Sequence, residues 1–321
     1  MSEHGLGGDY PATWDDFIGQ DQAKRQLMVA CQSAKMRGAT LDHVLLASGL
    51  SGIGKTSLAL LVAQELGRNV KVVSGKIPST MARIALSGLD DGDVLIYDEI
   101  HMAVAGGQAN AEWLLHLLQD GVIMGPTGPE EQPALTVIGC TTEPGRLPGA
   151  LLQRFILKPP LESYCTEEAS LIALGFAVKL FSDDLPLPST ENLTTIADAA
   201  NCNPRMMKAI LGNVRDIAVT TGHSNHNGER YDLAEALDWL GLTLDGLDLT
   251  ARRYLVALLT DFAGGAGMRA LQERLQEPGG LGHVEAVLID KGLIAQTKAG
   301  RTLTGAGIKR AKLLIEEAKA A

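Results

Sequence analysis

Residues 49–56 constrain the fold of this 321-residue chain more than any other segment. They match the pattern G-x-x-x-x-G-K-S/T, in which glycines let the backbone wrap so that successive N–H groups converge on an anion. An apolar run at 43–48 precedes the segment, and a helical pattern at 56–66 follows it. A phosphate-binding loop requires this order, because the N-terminus of the helix also attracts an anion. The sequence therefore predicts a nucleotide site in which Lys55 reaches the β- and γ-phosphates and the Thr56 hydroxyl holds Mg²⁺.

Short apolar runs alternate with helical patterns through the first half of the chain. The runs are continuous, as is typical of strands buried on both faces of a parallel sheet. We predict strands at 43–48, 69–73, 93–97 and 135–139, and helices at 56–66, 79–86 and 109–120. This alternation favours an α/β fold with a doubly wound parallel sheet.

The second half of the chain has a different pattern. We predict helices at 167–181, 190–200, 204–220 and 232–240, with a polar loop at 222–228 and no strand candidate among them. From about residue 245, helices at 249–262, 268–275 and 284–291 precede a hairpin formed by 292–297, a turn at 298–301 and 302–304, which indicates a winged helix. The predicted divisions are a flexible tail (1–12), a large P-loop domain (13–164), a small helical domain (165–244) and a winged-helix domain (245–321).

The composition is that of an ordinary globular protein, with 45% hydrophobic and 21% charged residues. No apolar run approaches the roughly 18–20 residues that a membrane span needs, and the N-terminal sequence lacks a signal-peptide pattern. We therefore expect a cytoplasmic protein with no membrane partner. The cysteines form no C-x-x-C pair, so we expect buried reduced thiols rather than zinc ligands at Cys31, Cys140, Cys165 and Cys202.

The charge is distributed unevenly. The net charge of −10 argues against a protein coated in basic residues, but residues 251–321 contain 11 Lys and Arg against 7 Asp and Glu. A mildly basic C-terminal unit on an acidic body is expected when only that unit contacts nucleic acid.

Two carboxylates follow the apolar run that ends at Tyr97. At the carboxyl end of a strand, Asp98 reaches the Mg²⁺ shell beside Thr56, and Glu99 polarises the attacking water as the general base. The alternative is a pair of solvated acids in a turn, and the phosphate loop upstream argues against it.

Three further polar residues occupy positions that suit a nucleotide site. Thr142 follows a strand, where it would meet the γ-phosphate or the attacking water. Arg154 follows a turn and would enter the nucleotide site of a neighbouring subunit to neutralise transition-state charge. Arg205 lies in the first turn of a helix. Taken alone, either arginine is more often a surface residue, and the threonine is more often only a strand former.

With these residues assembled, the chain resembles the AAA+ ATPases, and within them the RuvB family of Holliday-junction branch-migration motors, from about residue 11 to residue 313. Residues 14–20 look like the entry motif beside the adenine, and residues 98–101 match the acidic motif. Thr142 falls at sensor 1, Arg154 at the arginine finger, and Arg205 at sensor 2 of the lid domain. Tyr164 falls where the family has a tyrosine that contacts the nucleotide.

The resemblance implies ATP and Mg²⁺ as cofactors and assigns residues to each role. The catalytic residues are Lys55, Glu99, Thr142 and Arg154, and the metal ligands are Thr56 and Asp98. The residues implied at the nucleotide are Tyr10, Ile18, Gly49, Gly52, Ile53, Gly54, Lys55, Thr56, Ser57, Tyr164 and Arg205. In the wing, Lys298 and Arg301 are implied to bind the DNA backbone, while Gln296 stands where the family usually has another arginine. The loss of one phosphate contact should lower the salt slope of DNA binding by about one.

The segment 121–134 departs from the family pattern. The family has a longer β-hairpin here that docks on the junction-binding partner RuvA, whereas this shorter segment contains Pro126, Pro129 and Pro133. Because proline is poor hairpin material, we predict no hairpin. The segment thus argues against dependence on RuvA and suits a divergent or mobile-element-encoded relative with another partner or none. The phosphate loop also lacks the family's two prolines at Leu50 and Ser51.

The function we predict is ATP-driven movement of duplex DNA through a homo-oligomeric ring, expected to be a hexamer, in recombination and repair at four-way junctions. Sparse aromatic residues, 4% of the chain, agree with tracking of a duplex backbone rather than stacking on single strands. One alternative is a loader or remodelling ATPase that acts on a protein partner at DNA. Another is a winged-helix regulator whose oligomer is controlled by an ATPase.

Overall fold

The computed structural model describes residues 10–77, 79–105, 108–125, 128–181, 185–221, 233–277, 280–298 and 300–320. Most of the predicted tail and the polar loop at 222–228 lie outside these residues. The chain divides into two compact units. The first runs to Glu168 and includes Asn203–Arg205, and the second comprises Ala169–Cys202 and the chain from Met206 onward. The four domain limits given above stay a prediction.

A four-stranded parallel sheet forms the centre of the first unit. Its strands, in spatial order, are β1 (Val44–Ala47), β6 (Thr136–Thr141), β3 (Val94–Asp98) and β2 (Val70–Ser74). The predicted α/β class and all four strands are confirmed. This order places the carboxyl ends of β1, β6 and β3 side by side, so polar residues that follow these strands gather at one edge.

Both faces of the sheet are covered, which explains the continuous apolar runs. Leu45, Leu95 and Val137 point into one core cluster, whereas their neighbours Leu46, Ile96 and Ile138 point into another. Because side chains alternate along a strand, the strands β1, β3 and β6 need apolar residues on both faces.

Six helices flank the sheet in the described part of the first unit. They are α1 (Asp21–Arg37), α2 (Lys55–Leu66), α3 (Ser79–Leu86), α4 (Ile100–Val104), α5 (Gln108–Asp120) and α6 (Gly149–Leu152). The predictions for α2, α3 and α5 are confirmed to within one residue. Helix α1 was missed, although its buried residues Ala23, Leu27, Cys31 and Ala34 recur at helical spacing and Gly38 ends it with a φ of 62°.

The prediction that segment 121–134 forms no hairpin is wrong. Strands β4 (Val122–Gly125) and β5 (Gly128–Glu131) pair in antiparallel fashion, with Met124 opposite Pro129. The N–H of Gln132 donates to the carbonyl of Gly121, and hydrogen-bonded pairs alternate along such a ladder. Pro129 therefore occupies a non-hydrogen-bonded pair, where its missing N–H costs no ladder bond.

Four helices follow along the chain: α7 (Thr166–Leu180), α8 (Thr190–Ala199), α9 (Pro204–Thr221) and α10 (Leu233–Trp239). They match the predicted helices, and the described residues between 166 and 243 include no strand. The Ser189 hydroxyl caps α8 by accepting from the N–H of Asn192.

The C-terminal part of the second unit is a winged helix, as predicted. Its helices are α11 (Leu249–Thr260), α12 (Met268–Leu275), α13 (Gly282–Asp290) and α14 (Gly305–Ala320), and its strands are β7 (Gly265–Ala266), β8 (Ile294–Thr297) and β9 (Gly300–Leu303). Strand β7 and helix α14 were missed. The buried positions Gly307, Ala311 and Leu314 on α14 recur at helical spacing, and a Cβ on Gly307 would collide with the carbonyl of Leu293.

The cysteines only partly match the expectation of burial. Cys31 and Cys140 are buried, Cys202 is partly buried, and Cys165 is exposed. Among the described helices, none is long and apolar enough to cross a membrane.

Candidate active site

The phosphate loop connects β1 to α2, and its shape depends on two glycines. Gly52 and Gly54 have φ of 75° and 94°, in the left-handed region that favours glycine. A Cβ on Gly54 would also lie 2.8 Å from the ring of Phe17. The sequence reasoning did not single out Phe17, although it lies in the segment that resembles the entry motif. Helix α2 begins at Lys55, so its first N–H groups face the loop.

Lys55 is buried, and its ammonium group donates to a neutral partner. Nζ lies 2.6 Å from the carbonyl of Leu50, and the side chain is only 7% exposed. Burial lowers the pKa of Lys55, and Arg205 adds to this, while the carboxylates of Glu99 and Asp98 act in the opposite direction. A buried cation held by one carbonyl is suited to exchange that partner for a phosphate oxygen.

Two hard oxygen donors lie beside the loop. The Thr56 hydroxyl donates to Oδ1 of Asp98 across 3.4 Å, which joins the start of α2 to the end of β3. Within the described residues, no group of three or more His, Cys, Asp or Glu side chains is arranged to hold a metal. A hydroxyl and a carboxylate nonetheless fit Mg²⁺, which takes few protein ligands and completes its shell with phosphates and water.

Glu99 has a strained backbone directly after β3. Its φ of 51° and ψ of 49° are in the left-handed region, which a non-glycine residue seldom adopts. Gly75, at the end of the neighbouring β2, makes room for it, because a Cβ on Gly75 would collide with the carbonyl of Glu99. Gly75 was missed by the sequence reasoning. Its position directly after a predicted strand is the signal that could have found it.

Thr142 holds the Glu99 side chain. Both its backbone N–H and its hydroxyl donate to Oε2 of Glu99, over 3.2 Å and 3.0 Å. Thr142 follows β6, which lies next to β3, so the parallel register brings the two residues together. The structure thus gathers Lys55, Thr56, Asp98, Glu99 and Thr142 at one edge of the sheet.

Tyr164 ties the end of the first unit to the phosphate loop. Its hydroxyl donates to the carbonyl of Ile53 over 2.9 Å, and burial raises the pKa of Tyr164 to about 12. Ile18 is partly buried near the loop-packing Phe17, whereas Tyr10 is 39% exposed. The structure gives no contact between Tyr10 and the loop, and its place at the nucleotide stays a prediction.

Asn203, the residue before α9, contacts the phosphate loop. The Asn203 amide donates to the carbonyl of Ser51 over 2.9 Å, and its oxygen accepts from the N–H of Arg205 over 3.0 Å. A Cβ on Gly52 would meet both of these side chains. Asn203 is therefore a second residue at the loop to which the sequence assigned no role of its own.

Arg154 lies just after α6. Its guanidinium donates to the Gln119 side chain of α5 over 2.6 Å, and Nε is buried without a partner among the described residues. An amide partner leaves the positive charge of Arg154 unneutralised. Its role in a neighbouring subunit stays a prediction.

The wing differs from the prediction at Arg301. Arg301 lies in strand β9, which begins at Gly300, rather than in the predicted turn. Its guanidinium makes two hydrogen bonds to the buried Glu285 of α13, at 2.9 Å and 3.1 Å, which raise the pKa of Arg301. Glu285 also accepts from the Tyr254 hydroxyl at 2.7 Å. Lys298 at the tip is exposed, and the DNA-binding roles of both cations stay predictions.

Two family models match the chain. The model of the Holliday junction DNA helicase RuvB P-loop domain matches residues 10–161, and the model of the RuvB C-terminal winged helix domain matches residues 244–312. The RuvB branch migration complex subunit of Paenarthrobacter aurescens is 33% identical over 301 residues, which cover 91% of this chain and 82% of that protein. The same subunit of an Arthrobacter species is also 33% identical, over 91% and 81%.

Solved structures of RuvB proteins also resemble this chain. The structure titled as the Thermotoga maritima RuvB Holliday junction branch migration motor is 30% identical, with a TM-score of 0.78 over 95% of this chain and 98% of that one. A point mutant of the same motor has a TM-score of 0.80 over 95% and 99%.

Proposed function

The chain belongs to the RuvB family, and from that premise we propose that it is an ATP-driven motor that moves duplex DNA at Holliday junctions. The observation that carries the proposal is the convergence of Lys55, Thr56, Asp98, Glu99 and Thr142 at the carboxyl edge of β1, β6 and β3. The same chain carries a winged helix, the element expected to meet DNA. A cytoplasmic location is part of the proposal, because the curated relatives are bacterial proteins.

The residues of the site divide the work of hydrolysis among them. Loop N–H groups and Lys55 bind the phosphates, and Lys55 gives up its bond to Leu50 in doing so. Thr56 and Asp98 would hold Mg²⁺, which would supply positive charge beside the phosphates. The attacking water transfers a proton to the carboxylate of Glu99 as its oxygen bonds to the γ-phosphorus, while the bond from that phosphorus to the β–γ bridging oxygen breaks and ADP leaves. Thr142 keeps that carboxylate at the end of β3.

A ring is required for the arginine contribution. Arg154 carries a charge that no carboxylate neutralises among the described residues, and it bonds to α5 rather than to the loop of its own chain. We place it in the nucleotide site of the next subunit of a hexamer, where it stabilises the transition state. Nothing in the site favours the loader or the regulator.

A RuvA-like partner is part of the proposal, because the hairpin that sequence reasoning denied is present. Met124 on β4 is 48% exposed and offers an apolar contact for such a partner. A Met124→Asp variant should keep DNA-stimulated ATP hydrolysis and lose stimulation of junction unwinding by RuvA. Unchanged stimulation would mean that this hairpin is not the docking element.

The test of the proposal compares ATP hydrolysis with no DNA, duplex DNA of two unrelated sequences, and a four-way junction. A motor is stimulated by both duplexes alike and by the junction. A regulator would respond to one sequence, and a loader would need a protein partner before DNA had any effect. Glu99→Gln is the matched control, since it should bind ATP and hydrolyse none in every condition.

A further inference from the structure

His101 is a buried polar residue at the nucleotide site that has no part in the proposed mechanism. It lies on α4, two residues after Glu99, and is only 3% exposed. Each ring nitrogen approaches a different carboxylate: Nδ1 lies 3.2 Å from Oε2 of Glu99, and Nε2 lies 3.2 Å from Oε1 of Glu143. The buried imidazole therefore lies between two carboxylates that are themselves partly exposed.

Thr141, the last residue of β6, links His101 to the loop that follows it by two hydrogen bonds. Nδ1 lies 3.0 Å from the Thr141 hydroxyl, which in turn accepts from the N–H of Glu143 over 3.0 Å. Thr142, the next residue in the chain, donates two hydrogen bonds to the Glu99 carboxylate. Thr141, Thr142 and Glu143 therefore surround both His101 and the Glu99 carboxylate from one short segment.

Every described contact of the Glu99 carboxylate is made at Oε2, by Thr142 and His101. This leaves Oε1 for the proton of the attacking water. Because the backbone of Glu99 is in the left-handed region, a regular helix or strand does not fix the direction of its side chain. The direction has to come from the groups that hold Oε2.

We propose that His101 is a positioning residue for ATP hydrolysis, which is supported by Glu143 and fixes the direction of the Glu99 carboxylate. The proposal rests on the proposed function, in which Glu99 is the general base. Glu143 is half exposed and also pairs with Arg146 over 3.3 Å, and in this proposal it acts on Glu99 through the imidazole. Residues that orient a reacting group in this way are worth about 10–100-fold in activity.

The experiment measures kcat for ATP hydrolysis and the Kd of ATP in His101 and Glu143 variants of the full chain. His101→Ala should lower kcat by about 10–100-fold and change the Kd of ATP by less than about threefold. His101→Asn keeps a polar group where Nδ1 lies, so it should retain more activity than His101→Gln, whose amide reaches only the Nε2 position. Glu143→Ala should lower kcat by a few-fold, and adding it to His101→Ala should cost nothing more.

The matched control is His116→Gln. His116 on α5 also lies close to a carboxylate, 3.3 Å from Asp120, but both side chains are about half exposed. It should leave kcat unchanged. If His101→Ala fails to fold, His101→Asn and the exposed Glu143→Ala still decide the question.

The proposal is overturned if His101→Ala keeps the parent kcat, if His101→Gln outperforms His101→Asn, or if the Glu143 effect adds fully to that of His101. Glu99→Gln separates this failure from that of the proposed function. If Glu99→Gln loses hydrolysis while His101→Ala keeps the parent rate, only the positioning role is contradicted. Full hydrolysis in Glu99→Gln contradicts the general-base assignment itself.

Discussion

Lys55 in the nucleotide site and Arg301 in the wing are both cations that the sequence assigned to phosphate groups, but they have opposite surroundings. Lys55 is buried against a neutral carbonyl, and burial lowers its pKa. Arg301 is paired with the buried carboxylate of Glu285, which raises its pKa. A cation beside a neutral acceptor is available to an incoming anion, whereas one beside a buried carboxylate already stabilises the fold. The partner, and not the residue type, decides the role.

The largest expected effect is on Lys55. Lys55→Ala should lower ATP hydrolysis by about 1,000-fold, because the β- and γ-phosphates lose their charged ligand. Thermal unfolding should change little, since the lost partner is a single carbonyl. Steady-state ATP hydrolysis measures the loss of activity, and thermal unfolding followed by circular dichroism measures the stability. Lys71→Ala is the control, because Lys71 on β2 also donates to a carbonyl, that of Ser87 at 3.4 Å, but lies outside the site.

Gly75→Ala tests whether ATP hydrolysis depends on the position of Glu99 in the nucleotide site. The new Cβ would collide with the carbonyl of Glu99 and displace the proposed general base, so kcat should fall by about 100-fold with little change in ATP binding. Gly145→Ala, in a turn with open space around the Cβ position, should behave like the parent. A parent-like kcat in Gly75→Ala would show that Glu99 tolerates the shift.

In the wing, we expect the loss of a cation to lower stability. Arg301→Ala leaves Glu285 buried without its cation, and we expect the free energy of unfolding of the winged helix to fall by about 3 kcal/mol, as measured in urea. Lys298→Ala should leave stability unchanged, weaken duplex binding and lower the salt slope by about one. Arg269→Ala removes an exposed pair with Glu273 and controls for the loss of a surface charge. If Arg301→Ala lowers DNA affinity without lowering stability, the contrast drawn between Arg301 and Lys55 is wrong.

The smallest effect concerns His43, a partly buried group whose pKa is lowered by burial. Its Nδ1 accepts from the N–H of Val137 at 3.1 Å, and Nε2 lies 3.2 Å from the carbonyl of Leu118. The unfolded chain binds the proton first as the pH falls below about 6.5, so the first unit should lose stability between about pH 7 and pH 5. His43→Asn should flatten that pH dependence of unfolding. If the stability of the parent and of His43→Asn depends equally on pH, the pH dependence comes from other titrating groups.

Local sequence patterns were sufficient for most of the fold. The phosphate loop, the strands with both faces buried and the helices of the winged helix each depend on neighbouring residues, so periodicity and spacing predicted them. The hairpin β4–β5 was missed because three prolines were counted without regard to register, and Pro129 occupies a pair that needs no N–H. Helix α14 was also missed, although its buried positions recur at helical spacing.

The candidate site was predictable where its residues belong to one motif. Lys55, Thr56, Asp98, Glu99 and Thr142 follow strands that the pattern identified, and the parallel order brings them together. Gly75, Asn203 and His101 were missed or left without a role, because each acts through a residue on another element. The pairing of Arg301 with Glu285 also joins elements that are distant in sequence, and charge patterning alone predicted a DNA contact.

The most direct test of the central claim is branch migration of a synthetic four-way junction with ATP and Mg²⁺, with and without RuvA, for the parent and Glu99→Gln. We expect the parent to separate the strands and Glu99→Gln to bind ATP and DNA without separating them. Equal strand separation by both proteins, or none by the parent under either condition despite ATP hydrolysis stimulated by DNA, would contradict a motor driven by this site.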